Sequence, residues 1–235
     1  MRVALLQLGI DSRSRAANLS RALRMVDEAC SADPSPDLVV LPEACDTGQS
    51  EEPTSSITPA MADGFGQSLA SKAREWGVYV AAGFHQVVDG APIGSAALYD
   101  PDGDVVVRCC RGASPCAGAT RTSFGVWAVG LGSDRWDEEV VAGGLADAGV
   151  RLVVVPALQT DAGRRCLASR GGDLSKALKA YTCVAVGVSA GHAVDAAGGG
   201  PTVGSRVWGC DGAPLAHRSV SASGIVSAEI PLEAG

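Results

Sequence analysis

The order of sequence patterns predicts an α/β protein. Short β-branched runs alternate with amphipathic stretches of helical period, Asp-Gly turn signals fall in the middle and near the end, and 46% of the 235 residues are hydrophobic, enough for one sizeable core. Residues 2–9 read as a buried strand. Residues 18–30 read as a helix, because Leu19, Leu23, Val26 and Cys30 recur on one face while Arg21, Arg24 and Asp27 fall elsewhere. A strand over 37–42 follows, then a helix over 67–76 and a strand over 78–84. Strands over 95–99 and 104–108 flank Asp100-Pro101-Asp102-Gly103, whose Asp-Gly marks a hairpin. A second strand-helix-strand unit spans 124–131, 137–148 and 151–156. A helix over 173–181, a strand over 183–189 and a hairpin about Asp211-Gly212 complete the chain. Residues 46–64, 112–123 and 191–202 read as loops. With no linker-like stretch and no internal repeat, residues 1–235 read as one domain.

Charge and composition narrow the function. Lys and Arg number 19 against 26 Asp and Glu, a formal charge of -7 without a basic run, so nucleic acid is not an expected partner. Apolar runs such as residues 152–158 fall far short of the roughly 20 residues needed to cross a bilayer. The opening residues lack the apolar core and small-residue cleavage site of a leader, and a soluble cytoplasmic protein is expected. The eight cysteines form no C-x-x-C pair, and with three scattered histidines they show no metal spacing, so reduced thiols and no metal are expected. Gly130-Leu131-Gly132 lacks the third glycine of a dinucleotide loop, and Gly198-Gly199-Gly200 lacks the Lys-Ser/Thr of a phosphate loop. No cofactor is expected.

Several motifs occur in a fixed order: Leu6-Gln7 ending the first strand, Asn18 opening a helix, Asp37-Leu38-Val39-Val40-Leu41-Pro42-Glu43, and Gly77-Val78-Tyr79-Val80-Ala81-Ala82-Gly83. Ala97-Leu98-Tyr99-Asp100-Pro101-Asp102-Gly103 follows, then Gly149 before Leu152-Val153-Val154-Val155-Pro156, and Gly204-Ser205 before the last hairpin. In this series the chain resembles the nitrilase, or carbon-nitrogen hydrolase, superfamily over almost its whole length. The resemblance implies a four-layer α-β-β-α sandwich, two sheets face to face with helices outside. It also implies hydrolysis of amides or nitriles through a Glu, a Lys and a Cys.

Only one of those three matches. Glu43 stands at the Glu position, where a carboxylate at a strand end takes a proton from a nucleophile or water; it can equally be read as a cap on the following segment. Eight residues past Gly103, where the family has Lys, stands Arg111. Arginine keeps a positive charge for an oxyanion or other anion but cannot give up a proton; a solvated arginine at a strand end is the plainer alternative. At the nucleophile position the chain reads Val129-Gly130-Leu131-Gly132-Ser133-Asp134-Arg135-Trp136, and the match falls on Gly132 or Ser133, never on a cysteine. A serine needs strong activation, since its hydroxyl stays protonated at neutral pH, and a small turn residue is the alternative reading. The family's second Glu has no counterpart, because residues 112–123 contain no Asp or Glu.

Glu43, Arg111 and Ser133 are therefore the candidate catalytic residues, with Trp136 and Cys45 as candidate substrate contacts. Cys45, two residues past Glu43, would face the same side if the strand continued, and Cys109 and Cys110 border Arg111; each can also be a small core residue. His85 and His192 follow strand ends without a recognisable triad around them. The expected function is non-thioester chemistry on a small amide- or carboxylate-containing metabolite, the alternative being an inactive homologue that binds a small molecule or serves as a partner subunit. A homodimer is expected from the resemblance, with Val140, Val141, Leu145 and Ala148 as an apolar patch.

Overall fold

The computed structural model describes residues 1–48, 59–89, 91–111, 118–132, 139–159, 167–189, 203–219 and 223–234. In chain order the elements are β1 (Arg2–Gln7), β2 (Gly9–Ile10), α1 (Arg15–Cys30), β3 (Leu38–Val40), α2 (Pro59–Trp76), β4 (Tyr79–Val88), β5 (Ala91–Tyr99), β6 (Val105–Cys110), β7 (Gly118–Thr122), β8 (Gly125–Val129), α3 (Glu139–Asp147), β9 (Val150–Gln159), α4 (Leu167–Leu178), β10 (Tyr181–Ser189), β11 (Val203–Trp208), β12 (Pro214–Ser219) and β13 (Gly224–Glu229).

Two sheets form. One runs β13-β1-β3-β4-β5-β6 and the other β12-β11-β10-β9-β8-β7, with β2 added beside β10. Because β2 continues from β1, the opening segment leaves one sheet and joins the other. Buried Gln7 occupies the crossing: its amide donates to the Ser219 carbonyl at 2.8 Å, and its oxygen accepts from the Ser205 amide at 2.9 Å. Pairing of β1 with β3 and of β3 with β4 is parallel, as is pairing of β8 with β9 and of β9 with β10.

Three apolar clusters separate four layers. Between the sheets lie Leu5, Val40, Ala81, Leu98, Trp127, Val154 and their neighbours. Alternate residues of the same strands point outward: Leu6, Val39 and Val80 meet Val26 of α1 and Leu69 of α2. On the far side, Val153, Val155 and Val184 meet Leu145 of α3 and Leu174 of α4. This is the four-layer α-β-β-α sandwich.

The two expected hairpins form: Gly103 adopts φ of +80° and its amide donates to the Asp100 carbonyl at 2.9 Å, and Gly212 adopts φ of +81° between β11 and β12. Helix α1 starts three residues before its expected first residue, with the Ser14 hydroxyl accepting from the Ala17 amide. Its buried face centres on Ala22, Met25, Val26 and Ala29, leaving Leu19 and Leu23 only half-buried. Helix α2 begins at Pro59 rather than 67, and α4 at Leu167 rather than 173, running through Gly171-Gly172 against which Trp208 packs. Residues 118–122, expected as loop, form edge strand β7, and the unexpected β13 pairs antiparallel with β1. The strand expected to end at residue 131 ends at Val129.

Candidate functional site

Glu43 lies just past β3, at the carboxyl ends of the parallel strands, and the main chain there is tied to both sheets. The Glu43 amide donates to the Ala157 carbonyl of one sheet at 3.2 Å, and the Pro42 carbonyl accepts from the Gly83 amide of the other at 3.1 Å. Gly83 permits this approach: a Cβ there would stand 2.6 Å from the Glu43 Cα and 3.1 Å from the Pro156 Cβ. The result is a carboxylate held between the sheets, its side chain 6% exposed.

Arg111 reaches it from the end of β6. Val107 and Cys109 face the inter-sheet core, so alternation sends Arg111 the same way. Its amide donates to the Gly94 carbonyl at 2.8 Å, its guanidinium lies across Gly94, and its terminal nitrogen forms an ion pair with the Glu43 carboxylate. The arginine side chain is 57% exposed, so the pair has a buried acid and a solvent-facing base. The two residues that sequence reasoning placed 68 positions apart thus meet in one site.

The nucleophile position is only partly described. Gly132 donates its amide to the Pro156 carbonyl at 2.7 Å, and a Cβ on Gly132 would stand 2.5 Å from the Ala157 Cβ and 2.9 Å from its Cα. Position 132 is closed to any side chain. Ser133, the other alignment, lies outside the described residues, as do Trp136, His192 and the acid-free segment 112–117.

Residues 2–107, which include Glu43 and stop short of Arg111, match the carbon-nitrogen hydrolase family. Among solved structures the chain is similar to a cysteine-to-alanine mutant of a Nesterenkonia AN1 amidase from the nitrilase superfamily (17% identity, 98% of this chain and 90% of that chain, TM-score 0.80). It is also similar to an amidase from Nesterenkonia sp. (18% identity, 99% and 91%, TM-score 0.78), and to a mutant of it in complex with butyramide (18%, 98% and 91%, TM-score 0.78). No curated protein matches. The chain thus matches the carbon-nitrogen hydrolase family over residues 2–107 and shares the fold of nitrilase-superfamily structures. Among the described residues, no group of three or more His, Cys, Asp or Glu is placed to hold a metal ion, and no helix is long and apolar enough to cross a membrane.

Of the thiols that could stand in for the missing nucleophile, Cys45 faces the helix layer, and Cys109 and Cys110 are held in other contacts. Cys45 does not share the direction of Glu43, because the chain turns after β3: Ala44 takes φ of +49° and the Cys45 side chain packs with Leu6, Phe65 and Leu69 in the helix-facing core. Burial, with Asp46 beside it, pushes its thiol well above the ordinary range. Cys110 points to the face opposite Arg111 and accepts from the Ser95 hydroxyl at 3.4 Å. Cys109 does face between the sheets, but it is buried, donating to the Val129 carbonyl at 3.1 Å and accepting from the Gly118 amide at 3.0 Å.

Sequence reasoning missed Asp46. Its carboxylate is fully buried and gathers Arg15 of α1 at 3.1 Å, the His85 amide at 3.1 Å and His85 Nδ1 at 3.2 Å, while its carbonyl accepts from the Asn18 amide group at 2.9 Å. Asp46 and His85 are 39 residues apart, which hides the pair from any local motif.

Proposed function

We propose that this protein acts on a small amide- or carboxylate-containing metabolite by chemistry that forms no thioester, using the Glu43–Arg111 pair. The observation that carries the reading is that pair itself: a buried carboxylate and a solvent-facing guanidinium at the carboxyl ends of parallel strands, where α/β folds commonly bind ligands. Glu43 serves as the proton acceptor and Arg111 as the clamp for a substrate carboxylate or a developing oxyanion. Ser133 and Trp136 complete the proposed site, Ser133 at the nucleophile position and Trp136 as a substrate contact. Catalysis by the usual lysine is absent from the reading because an arginine stands at that position.

A second reading, a non-catalytic binder, draws on the same contact, since Arg111 already meets an internal anion. The two separate on Glu43→Gln, which keeps the shape and removes the charge. For an enzyme, turnover across a panel of amides and carboxylates should be lost in the variant while Tm changes little; a binder turns over none of them with either residue at position 43. Unchanged function with a clearly lowered Tm would overturn the catalytic role of Glu43.

We further propose that residues 1–235 act as one functional unit in the cytoplasm, assembled as a homodimer through the α3 side. Leu145, one of the four patch residues, is instead buried against its own sheet, and Ala148 is exposed. Sedimentation at micromolar concentration is expected to give twice the 23.7 kDa chain mass; a monomer would refute the dimer.

A further inference from the structure

We propose that His85 is a second acid/base group of this site, held by Asp46 as its positioning residue. The proposal rests on the Glu43–Arg111 reading and extends it.

Placement comes from strand geometry. Tyr79 and Ala81 of β4 face between the sheets, Gly83 does so against Pro156 and Leu131, and His85, next in the same alternation, follows roughly 7 Å further along the strand. Across the ladder His85 pairs with Gly94, and directly opposed residues share a face. The bed of the Arg111 guanidinium is Gly94, whose Cβ would lie 3.6 Å from the Arg111 Cζ. Glu43 on Gly83, Arg111 on Gly94 and the imidazole of His85 therefore border one patch.

Proton placement comes from the hydrogen bonds. Asp46 Oδ2 accepts from Arg15 and from the His85 amide, which leaves Oδ1 for His85 Nδ1. The Thr47 hydroxyl, 2.8 Å from the same Nδ1, donates its proton to the Gly48 carbonyl at 3.3 Å and so accepts from the ring. An ionised carboxylate oxygen can only accept, so the Asp46 contact places the hydrogen on Nδ1, and in the neutral ring Nε2 then presents its lone pair. No hydrogen bond of Nε2 exists among the described residues. The side chain is 13% exposed, enough to touch a ligand and too little to swing freely.

When the reaction is water attack on an amide, Nε2 takes one proton from water as the oxygen bonds to the carbonyl carbon. It returns that proton to the departing nitrogen as the C–N bond breaks, giving acid and amine with no other reactant. Asp46 supports the imidazolium between the two steps.

The test is a long-range proton–nitrogen NMR spectrum of the full chain at about pH 8, with histidine and arginine nitrogens labelled, repeated in saturating acetate as the probe. His85 should show the Nδ1–H tautomer, and acetate should shift both its Nε2 and the Arg111 side-chain N–H. An Nε2–H tautomer in the wild-type chain overturns the assignment, whether or not Asp46→Asn folds. In Asp46→Asn, where it folds, the Nδ1–H signal should weaken or disappear; an unchanged signal overturns the role of Asp46. Arg111 responding without His85 removes His85 from the site and leaves the anion clamp standing. His85 responding alone supports its exposure to ligand and overturns the clamp. No response from either overturns both.

Discussion

The Glu43 carboxylate is 6% exposed while the Arg111 side chain that pairs with it is 57% exposed, so the anion depends on its partner far more than the cation does. Removing the arginine leaves a buried charge with one less donor; removing the charge on the acid leaves an arginine that water can solvate.

This asymmetry gives a double-mutant prediction. Arg111→Ala should cost about 1–3 kcal/mol, the typical penalty for stripping a buried polar group of a partner, which for a chain of this size lowers Tm by roughly 2–4 °C per kcal/mol. Glu43→Gln should cost less, and adding it to Arg111→Ala should recover part of the loss. Thermal denaturation of the three variants checks the cycle, and strict additivity would show that the pair does not couple.

Glycines divide into two groups. Gly83→Ala and Gly132→Ala would drive a methyl group to 2.6 Å from the Glu43 Cα and 2.5 Å from the Ala157 Cβ, respectively. Each should destabilise by about 1–3 kcal/mol, the usual cost of overpacking. In α3, by contrast, a Cβ at Gly143 or Gly144 meets nothing within 4 Å, and alanine there should stabilise by about 0.5–1 kcal/mol. Urea unfolding midpoints should move in opposite directions for the two groups.

Much of the fold was legible because apolar period and turn chemistry agree locally. The Asp100-Pro101-Asp102-Gly103 turn and the runs at 38–40 and 152–155 announce their elements without help from the rest of the chain. Edge strand β7 was not legible: Gly118-Ala119-Thr120-Arg121-Thr122 is half-exposed and carries no buried apolar alternation, so its partner β8 rather than its own pattern makes it a strand. In the site, Glu43 and Arg111 could be found by position, but the directions of Cys45 and Asp46 could not. The turn after β3 reverses the alternation that would have aimed Cys45 beside Glu43, and Asp46 acquires its role only from Arg15 and His85, contributed by distant segments.

Thiol reactivity should follow burial. Desolvation raises the thiols of Cys45 and Cys183 well above the ordinary range, and raises Cys30 to about 11, with Asp27 adding to the effect. A raised thiol pKa means little thiolate at neutral pH and slow alkylation. Half-exposed Cys110 should react with iodoacetamide at least about tenfold faster than Cys45 or Cys183 at about pH 8. Peptide mapping over time measures this, and early labelling of Cys45 would show that the helix-facing core opens readily.

The proposed chemistry proceeds without a cysteine acyl intermediate. The most direct measurement is the intact-protein mass after incubation with a panel of amides and nitriles, taken alongside ammonia release. An unmodified chain is expected throughout, with no amide or nitrile turned over through an acyl-enzyme at the order of 1 per second typical of enzymes acting on their own substrates. An acyl adduct mapped to any cysteine, Cys45, Cys109 or Cys110 above all, together with turnover at that rate, would contradict it.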